Sequence, residues 1–99
     1  MSRNNPIYSY RITDYARGQM ARRGISESAV VQVLTSPEQV VTYSQDQAIY
    51  QSRMTMGEPP RTYLLRVFAD VNREPVEVVT VYRTSKVEKY WRSEDEGGL

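Results

Sequence analysis

The 99-residue chain contains neither cysteine nor histidine, and among its aromatics tyrosine dominates, with eight Tyr against one Phe and one Trp. Without these two residue types there is no zinc finger, no His-ligated metal, no thiol nucleophile and no Ser-His-Asp triad. A ribonuclease built on paired histidines is excluded as well. A catalytic site must draw on Arg, Lys, Tyr, Ser, Thr and carboxylates, and neither a metal nor a cofactor is expected. No apolar run approaches the ~18 residues of a membrane span, and the polar stretch Met1–Pro6 lacks the apolar segment of a signal peptide. The absence of a disulfide framework fits a cytoplasmic protein. Gly-rich phosphate loops, EF-hand signatures and nucleophile elbows are also missing.

Hydrophobic residues make up 39% and charged residues 25% of the chain, ordinary values for one globular domain with one small core. The net charge of +1 conceals an asymmetry. Ser93 to Leu99 carry three acids and no base, so residues 1–92 hold thirteen basic against nine acidic side chains, a net of +4. We therefore expect a single domain over residues 1–92 and an acidic, disordered tail over 93–99. Eleven of the thirteen basic residues are Arg, whose planar fork suits phosphate and carboxylate better than the point charge of Lys. Codon usage or adaptation to heat accounts for such a bias equally well.

Alternation over Ile7–Ile12 predicts a short strand or extended lead-in. Thr13 is placed to cap a helix over Asp14–Arg23, with Tyr15, Ala16, Gln19, Met20 and Arg23 on one face, and Gly24 to end it. Ser26 caps a second helix with Val30, Val31 and Leu34 as its stripe, stopped at Ser36-Pro37. The period then changes to that of strands: Gln39–Ser44, Ala48–Thr55, Thr62–Ala69 and Val76–Tyr82, with loops at Met56–Pro60 and Asp70–Pro75. Ser85–Arg92 reads as a short terminal helix. The expected fold is α+β, a helical hairpin followed by an antiparallel meander of about four strands, with one sheet face covered by the helices.

Strand alternation predicts which residues share a face. It groups Ile49, Gln51, Arg53 and Thr55; Leu64, Arg66 and Phe68; and Glu77, Val79, Val81 and Arg83. Each long strand thus places one arginine on a mixed face, and pairing as a meander brings Arg53, Arg66 and Arg83 together, with Lys86 just beyond. Exposed sheet faces carry charges in any case, so a solvated surface explains these residues too. Tyr50, Tyr63 and Tyr82 fit strands on propensity alone. Arg-Tyr surfaces, however, also stack on bases and neutralise phosphate.

The segments Thr13-Asp14-Tyr15-Ala16, Met20 and Arg23-Gly24-Ile25-Ser26, continued by Val30–Pro37, Leu65–Val67 and Val79–Tyr82, resemble the bacterial domain of unknown function 4258 family. The resemblance covers roughly Tyr10 to Tyr90. This family is similar to the RelE- and BrnT-like ribonuclease toxins, of the barnase-colicin-RelE fold type, which implies that the helical hairpin packs on a curled antiparallel sheet. The resemblance implies a toxin-like endoribonuclease of the mRNA interferase type, acting on RNA free or on the ribosome, with an antitoxin protein as partner. Arg23, Arg66, Thr80 and Tyr82 match family positions, whereas Tyr15 stands where the family has histidine. Tyrosine, with an ordinary pKa of ~10, is a poor base at neutral pH. The expected catalytic set is therefore Arg53, Arg66, Tyr82, Arg83 and Lys86 acting on the phosphate during 2′-OH attack. Tyr15, Arg23, Tyr50 and Thr80 are expected to bind. The alternative is a catalytically silent module of the same fold that binds RNA or protein or forms a homodimer.

Overall fold

The computed structural model describes residues 6–92; the expected acidic tail lies outside the described residues. The local signals of the helical hairpin act as their chemistry demands. Helix α1 (Asp14–Arg23) starts where the Thr13 hydroxyl accepts the Ala16 N–H at 3.2 Å, and ends at Gly24, whose φ of 66° is left-handed. The Gly24 and Ile25 amides both turn back to the Met20 carbonyl. Helix α2 (Glu27–Thr35) starts with the Ser26 hydroxyl accepting the Ala29 N–H at 3.1 Å. Ile25, buried at the corner, locks the two helices together.

Five strands follow the order β1-β5-β4-β3-β2: β1 (Tyr10–Ile12), β2 (Gln39–Thr42), β3 (Gln47–Met56), β4 (Arg61–Asp70) and β5 (Val76–Thr84). The architecture is α+β as expected, but the sheet has five strands rather than four and is mixed. The extended lead-in becomes β1 and pairs in parallel with β5, Tyr10 opposite Val76 and Ile12 opposite Val78. The other pairings are antiparallel. Helix α3 is the single turn Val87–Tyr90, shorter than the expected Ser85–Arg92.

Both helices of the hairpin cover one sheet face. Ala16 and Met20 of α1 and Val30, Val33 and Leu34 of α2 meet Tyr50, Leu65, Val67, Ala69, Val76, Val78 and Val81 in the core. The inward stripe of α2 includes Val33 in place of Val31, and α1 turns Tyr15 and Arg23 outward. Gln19 is buried because its side-chain carbonyl accepts the Val81 N–H at 2.9 Å, tying α1 to β5.

One irregularity decides which side chains share a face. Phe68 lies opposite Thr80, but Ala69 lies opposite Val78, so Val79 is an extra residue in β5. Such a bulge inverts the inside-outside phase of everything beyond it. Val76, Val78, Val81 and Arg83 consequently face the helices, while Thr80 and Tyr82 face away, beside Phe68 and Arg66. Unbroken alternation had paired these sets the other way.

No helix among the described residues is long and apolar enough to cross a membrane. Because nothing lies within 4 Å of a Cβ built on Gly24, Gly24→Ala meets only the backbone cost of its left-handed conformation. Urea unfolding is expected to show a loss of about 1 kcal/mol.

Candidate functional site

Among the described residues, the face opposite the helical hairpin is covered only by α3, Trp91 and Arg92, which leaves a groove of about 720 Å³. Its floor is Arg66, Phe68, Ile49 and Val41; its walls are Thr42 and Tyr43 on one side and the run Glu88–Arg92 on the other. Arg66, in the middle of β4, is 7% exposed. Gln51 is directly opposite on β3 and Tyr82 directly opposite on β5. Arg66 Nε donates to Gln51 Oε1 at 2.9 Å and its Nη1 donates to the Tyr82 hydroxyl at 2.7 Å. The guanidinium carbon lies 4.4 Å from the centre of the Tyr90 ring and 5.6 Å from that of Phe68.

No carboxylate pairs with Arg66 among the described residues. Its charge is compensated by an amide oxygen, a phenol oxygen and the faces of aromatic rings, none of which carries a formal negative charge. No buried side-chain nitrogen or oxygen among the described residues lacks a partner. The remaining Nη2 edge, which has no protein acceptor among the described residues, therefore reaches the open groove. A largely buried cation with a free edge is an anion site by its electrostatics.

A second layer holds this arrangement. Gln51, fully buried, donates through Nε2 to Gln39 Oε1 at 2.8 Å and to the Tyr90 carbonyl at 3.2 Å. Gln39 in turn accepts the Arg92 N–H at 3.0 Å and donates to the Arg92 carbonyl. The hydrogen bonds thus run from Arg66 through two glutamines to the backbone that forms the groove wall. The rings of Tyr43, Phe68, Tyr82 and Tyr90 follow one another edge to face, with centroids 5.3, 6.1 and 6.4 Å apart.

Of the nine side chains the sequence singled out, Arg66 and Tyr82 are brought into contact. Thr80 shares their face, opposite Phe68, without lining the groove. The expected convergence of three arginines is not found. Arg53 is on the Arg66 face, but it is committed elsewhere: its Nε and Nη2 both bond Glu38 at 3.1 Å, its backbone N–H bonds the same carboxylate at 2.8 Å, and its guanidinium stacks 4.1 Å from the Trp91 ring. The bulge places Arg83 on the opposite face, 5.0 Å from the Tyr63 ring and 4.0 Å from the Met56 sulfur. Lys86 lines a separate hollow of about 410 Å³ with Ser85 and Val87.

Tyr50 is a core residue, 5% exposed, and burial pushes its phenol pKa up. Tyr15, 64% exposed, and Arg23 sit on α1, on the helical side of the sheet. Sequence reasoning missed Gln39, Gln51, Phe68, Tyr43 and the Glu88–Arg92 wall. Alternation had already put Gln51 and Phe68 on the faces of Arg53 and Arg66, and that was the available signal. Tyr43 and the wall follow from tertiary closure and left none.

The family described as Domain of unknown function (DUF4258) matches residues 12–83. The chain belongs to that family. No curated protein and no solved structure is significantly similar to it.

The geometry has two measurable consequences. The hydrogen bonds from Arg53 hold the Glu38 carboxyl below its ordinary 4.5. A lowered folded-state pKa contributes stability above the ordinary value and loses it as pH falls through the folded one. Thermal melts recorded below about pH 4.5 are therefore expected to fall less steeply for Glu38→Gln than for the parent. Arg66→Met removes a buried charge that has no counter-ion among the described residues, at the expense of one acceptor on Gln51. These effects oppose each other, so its unfolding free energy in urea is expected to stay within about 1 kcal/mol of the parent.

Proposed function

We propose that the domain is a toxin-like, RNA-directed module whose groove seats one backbone phosphate of a single strand against Arg66. The observation that carries this reading is the 7%-exposed guanidinium, unpaired by any carboxylate among the described residues, at the floor of an aromatic groove. Arg offers a phosphate two parallel donors, and the rings around it are the usual partners of unstacked bases.

The activity this arrangement would serve is endoribonuclease cleavage, as in RelE- and BrnT-like toxins. The ribose 2′-OH attacks the adjacent phosphorus, the bond to the 5′-oxygen breaks, and a 2′,3′-cyclic phosphate forms. Arg66 would neutralise the charge that develops on the phosphorane, and Tyr82 would position Arg66 by accepting its Nη1–H. Glu88, the one carboxylate lining the groove among the described residues, is the group available to take the 2′-OH proton. Arg53, Arg83 and Lys86 have no part in this scheme, because they lie outside the groove.

A second reading, binding without turnover, is favoured by the position of Tyr15. It replaces the family's histidine and lies on α1, across the sheet from Arg66. Incubation with end-labelled RNA, alone and with translating ribosomes, separates the two. Cleavage is expected to yield cyclic-phosphate ends and to fall by about 100-fold or more in Arg66→Met. RNA binding without new ends would select the second reading, and absence of both would reject this assignment of the groove.

A further inference from the structure

Resting on the RNA reading of the groove, we infer that its ligand is a very short single-stranded stretch: one phosphate seated in the groove, flanked by two bases. Three observations limit the footprint. The first is the supply of cations. Arg66, Lys89 and Arg92 are the only basic side chains lining the groove among the described residues. On the groove's face of the sheet Arg53 is already paired with Glu38 and Arg11 with Glu77, and Lys86 lines the adjoining hollow. Arg83 is on the other face of the sheet.

The second observation is the disposition of aromatic surface. The rings of the groove meet edge to face, with interplanar angles of 62° to 75°, so they leave no parallel slot between them for a base. The ring with free area is Tyr43, 61% exposed at the β2 wall. On the opposite wall stands Trp91, one face of which is taken by Arg53. Tyr43 and Trp91, both lining the groove, are the two surfaces proposed to take the bases. The third observation is width. The wall following α3 is tied to the sheet through Gln51 and Gln39, and 720 Å³ is the volume of a small-ligand site, not of a duplex channel.

The experiment is an NMR-monitored titration with 2′-O-methyl oligouridylates, which cannot undergo 2′-OH attack, of two, four and eight nucleotides at several salt concentrations. Binding is expected to be nearly complete at four nucleotides, with only the two- to threefold gain from extra registers at about eight. One seated phosphate, with up to two neighbours met by Lys89 and Arg92, predicts a slope of log K against log salt between about −0.7 and −2, a loss of roughly 3- to 20-fold from 50 to 200 mM. Tyr43→Ala is expected to weaken the dinucleotide by about tenfold and to leave inorganic phosphate binding unchanged.

A slope steeper than about −3, or a gain above tenfold from four to eight nucleotides, would overturn the short footprint while leaving RNA binding intact. Equal dinucleotide affinity in Tyr43→Ala would overturn the two-platform seat. No binding at any length would remove the RNA reading itself, and this inference with it.

Discussion

A guanidinium taken out of water must recover its hydration from its surroundings, and Arg66 recovers it without a counter-charge among the described residues. Gln51 and Tyr82 supply two oxygens, and Tyr90 and Phe68 supply ring faces. Much of the open face is arranged around that requirement. Gln51 can serve only because its own amide is satisfied by Gln39 and the Tyr90 carbonyl, and Gln39 binds the backbone of Arg92. The groove wall is thereby built from the same hydrogen bonds that hold the cation. An ion pair would have neutralised Arg66 with less apparatus, but it would also have consumed the edge that now faces the groove.

The two sides of the sheet are correspondingly unequal. Among the described residues, one carries nineteen helical residues and a continuous apolar core; the other carries a single four-residue turn. The apolar contacts of the first stabilise the domain, so the second is free to hold polar groups whose burial a core would not tolerate. Alterations on the open face therefore act on ligands more than on the fold, and the reverse holds for the helical face.

Much of the fold was legible in the chain because it is dictated locally. Thr13, Gly24 and Ser26 act as caps through bonds to residues three or four positions away, and Pro37 blocks continuation of α2. Strand positions followed from apolar content and turns. The parallel return of β1 to β5 was not legible, since it depends on contacts some 66 residues apart. The site was half legible. Arg66 and Tyr82, both singled out, are brought into contact, whereas Arg53 bonds Glu38, which sits fifteen residues away just before the strand that pairs with its own. Tyr50 lies in the core, which a tyrosine on an alternating strand does not announce, since it carries no mark of which face is inward.

Val79 illustrates a different dependence. In a regular strand the side of the sheet to which a residue points is a matter of odd and even numbering, and the one extra residue at Val79 reverses that parity for the remainder of β5. Tyr82 reaches Arg66 only because of this reversal; with one residue fewer it would point at the helices, and Arg83 would take its place. The domain should therefore tolerate length changes in the 71–75 turn far better than in the short run 77–81. Among relatives, an insertion or deletion confined to that run marks the chains in which the site has been rebuilt or lost, even where every named side chain is still present.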